Sequence, residues 1–231
     1  MRSPAVTSAS ARTKRSLRTM GTTLAARVVL KIRKVVRELT ETQPDREFRQ
    51  IWRELESLEG WLFPDEGAWL FKAARLLPPD ANIVEIGSYK GRSTCCLALG
   101  CRGTRRHVFA IDSFDGGPNL PKANSLPQFQ ENLNRIGVAE FVTPIVSLSA
   151  DAANAWSQPI HFLFVDGSHL YEDVMSDFRS FFPHVVTGGV VAFHDVANET
   201  WPDVGRAWNE TIVHKLSGTG ICETLGYGRK P

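Results

Sequence analysis

The chain has 231 residues, of which 42% are apolar and 23% charged, a composition typical of one globular domain with or without an extension. Its net charge of +2 is unevenly distributed: ten Lys and Arg residues precede the first acid, Glu38, and the chain from Glu38 onward carries 17 basic and 25 acidic residues. This acidic body gives little electrostatic help to a nucleic-acid partner, and we therefore expect none.

Residues 1–44 are predicted to be a basic extension in front of a main domain at 45–231. Residues 1–21 are rich in Ser, Thr, Ala and Arg, which is typical of disorder. From Thr22 to Leu39, apolar residues repeat along one helical face and basic residues along the other. Such a helix could lie on an anionic membrane, belong to an organellar transit peptide, or pack on its own domain or across a homodimer. No apolar run approaches the roughly 20 residues of a membrane span. Because the four cysteines form neither a disulfide framework nor a zinc site, we predict a cytoplasmic protein, with peripheral membrane contact left open.

Two helices are predicted between Pro44 and Leu77. Apolar residues at helical spacing indicate the first around Phe48 to Leu58, and the second runs from Gly67 to Leu77 before Pro78-Pro79 ends it. The link from Gly60 to Pro64 is aromatic. It either roofs a ligand pocket or belongs to the core, and the core interpretation is favoured.

Strands and helices alternate after residue 82, which predicts a parallel sheet covered on both faces. The predicted strands are Ile83–Ile86, His107–Ile111, Phe141–Val146, Ile160–Val165 and Val190–Phe193. The predicted helices are Ser93–Leu99, Gln128–Ile136, Ala152–Trp156 and Tyr171–Phe182, followed by a tail helix at Val204–Leu216 and a last strand at Ile221–Leu225. Ligands bind beyond the carboxyl ends of such strands. The four cysteines form no C-x-x-C pair, and Cys95 and Cys96 are expected to be apolar filler in a helix.

The turn after the first strand has the spacing E-x-G-x-x-x-G-x-S, from Glu85 to Ser93. It fits neither the nicotinamide fingerprint G-x-G-x-x-G nor the P-loop. Gly87 can adopt angles that a side chain forbids, and Gly91 is expected to let the backbone approach a ligand at the helix N-terminus. The spacing resembles the first motif of class I S-adenosylmethionine (SAM)-dependent methyltransferases. The resemblance implies that Glu85 helps to position SAM and that its methionine part is wrapped by Gly87, Ser88, Tyr89, Gly91 and Ser93. The alternative is a strand–helix turn without a ligand.

Asp112 ends the second strand, and Ser113 follows it. In nucleoside-binding units an acid at this place binds the ribose hydroxyls, whereas the alternative is an Asp that only shapes a turn. Ser149 and Ala150 follow the third strand, where the resembling family contacts adenine. Asp151 could equally cap a helix.

Asp166, His169, His194 and Asp195 follow the fourth and fifth strands and form the sharpest cluster of candidates. Carboxylates suit Mg²⁺, and imidazole also suits Mn²⁺ or Zn²⁺. We predict that Asp166 and Asp195 bind a divalent ion, with His194 as second ligand or spare base, and that His169 is the general base. Asp166 would also contact the cofactor. The alternative is a site without metal, in which Asp166 orients the substrate or His169.

The runs VEIGSYKGRST, AIDSFDG, FVDGSHLYEDVMSDF, GGVVAFHDV and TLGYGRKP resemble a small bacterial branch of class I O-methyltransferases that includes macrocin-type sugar enzymes. The resemblance covers 61–231 and implies a Rossmann-like αβα sandwich with a mostly parallel seven-stranded sheet. It implies methyl transfer from SAM to a hydroxyl of a sugar, polysaccharide or natural product, assisted by Mg²⁺ or another divalent cation. One departure is Ser168, where metal-dependent relatives often have an acid as base, and this moves the predicted base to His169. The loop 116–127 and the segment around Trp61 are predicted to close over the substrate.

Two other functions stay open at this stage, because a fold does not determine its chemistry. One is a SAM-binding regulatory protein, and the other is a metal-dependent hydroxylase or hydrolase. The choice between oxygen and nitrogen as methyl acceptor is also open.

Overall fold

A central parallel strand, β1 (Asn82–Ile86), organises the sheet in the computed structural model, which describes residues 43–116 and 124–231. The other strands are β2 (His107–Asp112), β3 (Val142–Val146), β4 (Ile160–Val165), β5 (Val185–Phe193), β6 (Ser217–Cys222) and β7 (Leu225–Arg229). Their order is β3-β2-β1-β4-β5-β7-β6, and β7 runs in the opposite direction to the other six strands. The carboxyl ends of β1 to β5 therefore meet at one edge of the sheet.

Helices cover both faces of this sheet. They are α1 (Gln43–Glu56), α2 (Pro64–Arg75), α3 (Arg92–Leu99), α4 (Leu126–Ile136), α5 (Ser149–Ala155), α6 (Tyr171–Phe181) and α7 (Pro202–Ala207). Successive strand residues point to opposite faces. Ile83 and Phe164 accordingly pack with α2 and α3, whereas Val84 and Val165 pack with α6 and α7. This arrangement confirms the predicted Rossmann-like αβα sandwich with a mostly parallel seven-stranded sheet.

Several element bounds differ from the predictions, among them those of β5, the last strand and the tail helix. β5 begins at Val185, because the strand continues past Gly188-Gly189 with a shift of register against β4. The predicted last strand at 221–225 is wrong, since that segment contains the turn between β6 and β7. The glycine-rich hairpin lacks the apolar alternation that marks a strand. The tail helix ends at Ala207 and continues as the π-helical turn Trp208–Ile212 and a 3₁₀ turn, Val213–Lys215.

Some predictions lie outside the described residues. They concern the disordered stretch 1–21, the basic helix at 22–39 and most of the loop 116–127, and the boundary between residues 44 and 45 stays a prediction. Residues 47–231 belong to one compact unit. Within the described part of the chain, no helix is both long and apolar enough to cross a membrane.

All four cysteines are free thiols. Cys95, Cys96 and Cys101 are fully buried, whereas Cys222 is partly exposed. The predicted filler role of Cys95 and Cys96 fits this burial, because both pack in the cluster between the sheet and α2.

Candidate functional site

The carboxyl ends of the parallel strands open into a cavity of about 830 Å³. This volume falls in the usual range for small-molecule sites. Its walls come from the turn after β1, from Asp112 at the end of β2, from Asp166 after β4 and from His194 and Asp195 after β5. The cavity thus lies where an open α/β sheet is expected to bind its ligand.

Gly87 shapes the first turn. Its φ is +84°, and a β-carbon there would lie 2.1 Å from the carbonyl oxygen of Asp166. Its N–H donates to Ile111 O (2.9 Å), so the turn is fixed to the end of β2 as well. Only glycine lets these three strand ends approach one another so closely.

Asp112 anchors the same turn from the neighbouring strand. Its Oδ2 accepts hydrogen bonds from the N–H groups of Ser88 and Tyr89, both at 2.8 Å, and its Oδ1 accepts from Phe114 N–H (2.6 Å). Asp112 therefore shapes the turn, which was the alternative to a ribose contact. Its side chain also lines the cavity, so the ribose contact stays a prediction.

Glu85 and Gly91 do not line the cavity, which differs from their predicted contact with the cofactor. Glu85 is fully buried, and its Oε2 accepts from Ser88 Oγ (2.8 Å) and Thr94 Oγ1. Its Oε1 has no hydrogen-bond partner among residues 43–116 and 124–231, and burial raises the pKa of this carboxyl to about 7. A β-carbon on Gly91 would lie 2.9 Å from the Phe129 ring, so packing and a φ of +84° require this glycine. Both residues stabilise the turn without lining the cavity.

The remaining predicted cofactor residues all line the cavity. They are Ser88, Tyr89, Ser93, Ser113, Ser149, Ala150 and Asp166. Asp177 on α6, which the sequence reasoning missed, lies on the same wall, and burial raises its pKa to about 6. Asp151 is exposed and does not line the wall.

Asp166 and Asp195 are brought together by contacts with His194. His194 Nδ1 lies 3.3 Å from Asp166 Oδ1 and 3.2 Å from Asp195 Oδ2. Burial raises the pKa of Asp166, assisted by the charge of Asp195 and opposed by His194. Burial acts in the same direction on Asp195, but hydrogen bonds from His169, His194 and Asn198 outweigh it and hold that pKa well below its usual range.

The chain turns at Asp195, which has a φ of +61°. Adjacent residues in a strand point to opposite faces, but β5 already ends at Phe193. Both His194 and Asp195 therefore line the cavity.

Both ring nitrogens of His194 face carboxylates. Its Nε2 lies 3.0 Å from Glu66 Oε2, opposite the contacts to Asp166 and Asp195. Burial would lower the pKa of His194, but the three surrounding carboxylates raise it well above its usual range. When both ring nitrogens of His194 donate N–H hydrogen bonds, neither has a free lone pair to bind a metal ion.

His169 lies at the edge of this cluster. Its Nε2 is 3.2 Å from Asp195 Oδ2, and its ring stacks on Trp201 with 4.2 Å between centroids. The ligand atoms of Asp166, His169 and Asp195 lie within 4.8 Å of one another. Two carboxylates and one imidazole form a ligand set that suits Mn²⁺, whereas Mg²⁺ prefers oxygen ligands alone. The geometry thus groups His169 with the acids, where the prediction had His194.

The aromatic link between α1 and α2 is exposed, so the favoured core interpretation is wrong for Trp61 and Phe63. Trp61 is 67% and Phe63 52% exposed, whereas Leu62 between them is buried. Trp61 lines the cavity and lies 5.6 Å from the Tyr89 ring, centroid to centroid. The link therefore borders the cavity mouth, as the roof alternative required.

Several residues of the site escaped the sequence reasoning. They are Glu66, Asp177, Asn198, Trp201 and Thr224. Glu66 stands three residues after Phe63 at the start of a helix, a spacing that signals a helix cap. No local signal connects it with His194, 128 residues away.

Known proteins are similar to this chain in sequence and in fold. Residues 84–196 match a family model described as a methyltransferase domain. An uncharacterized protein of Acanthamoeba polyphaga mimivirus is 26% identical over 148 residues, which are 60% of this chain and 62% of that protein. The chain thus spans less than two thirds of this relative.

Solved structures are similar in fold. The O-methyltransferase from Bacillus cereus in complex with SAH (S-adenosylhomocysteine) has a TM-score of 0.61 at 16% identity and covers 87% of this chain and 97% of its own. TomG from Streptomyces achromogenes is an O-methyltransferase involved in tomaymycin synthesis and was solved with SAM. It has a TM-score of 0.57 at 18% identity, and the match covers 87% of this chain and 96% of TomG.

Proposed function

We propose that the chain is a class I methyltransferase and that it transfers a methyl group from SAM to a hydroxyl oxygen of a sugar or natural product with the help of a divalent ion. The observation that carries this proposal is the division of the cavity into two ends. The donor end consists of the turn Gly87 to Lys90 with Asp112, and the acid end consists of Asp166, His169, His194 and Asp195.

The donor end suits a nucleoside sulfonium ligand. Its wall offers the hydroxyls of Ser88, Ser113 and Ser149, and the carboxylate of Asp112. SAM and SAH are bound by the structurally similar proteins named above, which supports the same ligand here. We propose that Asp112 binds the ribose and that Ser149 and Ala150 contact the adenine.

The acid end suits the acceptor. A divalent ion bound by Asp166 and Asp195 would supply a Lewis acid that lowers the pKa of an acceptor hydroxyl. We assign His169 to the base rather than to a third ligand of the ion, because Asp195 holds one ring nitrogen, Trp201 stacks on the ring, and the other nitrogen is left to accept the proton. The deprotonated oxygen then attacks the methyl carbon, the carbon–sulfur bond breaks, and SAH leaves with the electron pair on sulfur.

The walls near the mouth suit an acceptor with a ring. Trp61 and Trp201 both line the cavity, and their rings have flat aromatic faces. A sugar ring or an aromatic natural product can pack on such faces, and this supports the proposed acceptor class.

A cytoplasmic location and the peripheral membrane contact of residues 22–39 belong to the same proposal.

Calorimetry and a transfer assay test the proposal together. We expect SAM and SAH to bind the purified chain, Mn²⁺ or Mg²⁺ to bind the acid end, and labelled methyl to appear on members of a panel of hydroxylated sugars and phenols. SAM binding without transfer to any member would favour a regulatory protein. No SAM binding would favour a hydrolase or hydroxylase, and transfer only to amine analogues would overturn the choice of oxygen.

A further inference from the structure

Glu66 is a fully buried acid that lies outside the cavity wall. It belongs to the first turn of α2, and its carboxylate accepts four hydrogen bonds. The donors are Phe63 N–H (2.9 Å), Thr224 N–H (2.9 Å), Thr224 Oγ1 (2.7 Å) and His194 Nε2 (3.0 Å). One side chain thus joins the link before α2, the turn between β6 and β7, and the acid end.

A helix-capping role accounts for only one of these contacts. Glu66 accepts from the N-cap residue Phe63, as an acid at this position commonly does. A cap can remain exposed, whereas burying a carboxylate costs several kcal/mol unless its oxygens are well paired. The burial of Glu66 against His194 therefore needs a reason beyond the cap.

The two oxygens of Glu66 serve different partners. Oε1 accepts both hydrogen bonds from Thr224, whereas Oε2 accepts those from Phe63 and His194. Only a carboxylate has acceptors on both sides, because an amide would turn an NH₂ group toward one pair of donors. The site thus selects Glu over Gln.

Fixing one nitrogen of a flat imidazole ring also fixes the direction of the other. With Nε2 on Glu66, the Nδ1 of His194 lies 3.3 Å from Asp166 and 3.2 Å from Asp195. We propose that Glu66 is a positioning residue, which orients His194 so that its Nδ1–H holds Asp166 and Asp195 in the geometry that binds the divalent ion. This inference rests on the proposed function, since it deepens the role of the acid end.

The test compares Glu66→Gln with Thr224→Val in the full chain. Thr224→Val removes one hydrogen bond from the same carboxylate but leaves the His194 side intact, so it is the matched control. Two measurements are made on each: Mn²⁺ affinity by electron paramagnetic resonance, and NMR of the imidazole N–H protons of His194, assigned with His194→Gln. Hydrogen-bonding partners behind metal ligands typically change metal affinity about 10–100-fold.

Because Glu66 acts on the ligands Asp166 and Asp195 only through His194, we expect Glu66→Gln to weaken Mn²⁺ binding by about 10-fold, the lower end of this range, and to remove or shift the His194 Nε2–H resonance. Thr224→Val should keep both within error, although both variants lower the melting temperature. SAH affinity, which reports on the donor end, should change less than threefold in either variant.

Equal loss of Mn²⁺ affinity in both variants, or an unchanged His194 resonance in Glu66→Gln, would overturn the inference. If Glu66→Gln does not fold, the wild-type spectrum decides: a His194 Nε2 without a proton cannot donate to Glu66, and the inference falls. Absence of Mn²⁺ binding by the wild type would overturn the ion in the proposed function, and the NMR comparison alone would then judge whether Glu66 orients His194.

Discussion

The donor end and the acid end are built in different ways, although both lie at the carboxyl edge of one sheet. At the donor end, backbone N–H groups of Ser88 and Tyr89 close on Asp112, at most 24 residues away. At the acid end, side chains meet across much longer distances in sequence: Glu66 lies 128 residues from His194 and 158 from Thr224.

This difference predicts how each end responds to mutation. The donor end depends on backbone geometry, so a change there should disturb the turn and its ligand together. The acid end depends on charge pairing between side chains, so a single substitution can remove chemistry while the turn survives. Four predictions test this contrast, from the largest expected effect to the smallest.

Asp166→Ala should lower methyl transfer by about 10³-fold or more, because it removes a ligand of the proposed ion, whose effect is worth several kcal/mol. SAH affinity, measured by calorimetry, should stay within about threefold. Asp151→Ala, an exposed acid off the cavity wall, is the control. If Asp166→Ala instead lost SAH affinity while the transfer rate of the SAM-bound enzyme stayed unchanged, Asp166 would belong to the donor end.

Gly87→Ala should destabilise the fold by about 4 kcal/mol or more, because the new β-carbon would lie 2.1 Å from the backbone of Asp166. Gly103→Ala is a matched control, since Gly103 also has positive φ (+72°) but no atom within 4 Å of the added carbon. It should lose only the strain of a left-handed residue, about 1–2 kcal/mol. Similar losses of unfolding free energy in urea for both variants would contradict the close approach at Gly87.

Glu85 should make stability fall as pH rises. Its pKa is raised by burial from 4.5 to about 7, so the folded state binds more protons than the unfolded state between these values. The unfolding free energy should therefore drop by about 3 kcal/mol between pH 4.5 and 7 on account of this group, and stay level above pH 7. Subtracting the unfolding free energy of Glu85→Gln from that of the wild type at each pH isolates the contribution of Glu85.

Chemical denaturation at half-unit pH steps measures this dependence. Glu131→Gln, which changes an exposed acid, should run parallel to the wild type. A Glu85→Gln curve that is also parallel to the wild type would show that the Glu85 carboxyl does not change its proton affinity on folding.

Asp112→Asn should weaken SAH binding by about tenfold, the smallest of the four effects. An amide turns its NH₂ group toward at least one of the three N–H donors that Asp112 now accepts, and a charged acceptor is worth about 1.5–3 kcal/mol. Calorimetry with SAH reads the loss, with Asp151→Asn as control. An effect on transfer with no effect on SAH affinity would place Asp112 outside the donor end.

The same contrast explains what the sequence could predict of the fold. β4 occupies the predicted residues 160–165, and β1 and β2 differ by one residue, because buried parallel strands are short apolar runs. The β6–β7 hairpin was missed because its glycines remove the apolar signal. The start of β5 was missed for a similar reason, since Gly188-Gly189 resembles a turn.

The sequence predicts those site residues that are marked by their position at the end of a strand. Gly87, Ser88 and Asp112 follow strands in the sequence, and the structure puts them on one wall. The partner of His194 was not predictable, because Glu66 meets it only after α2 packs against the sheet. Asp195 could be placed only once the turn after Phe193 was known, since its positive φ reverses the alternation of the strand.

The burial of three of the four thiols has a practical consequence for these measurements. Burial raises the pKa of Cys95 and Cys96 far above its usual range and that of Cys101 to about 12, which protects all three from alkylation. Cys222 is partly exposed and lies two residues before Thr224. A maleimide dye should therefore label a single position, beside the contact between the terminal hairpin and Glu66, without any engineered cysteine.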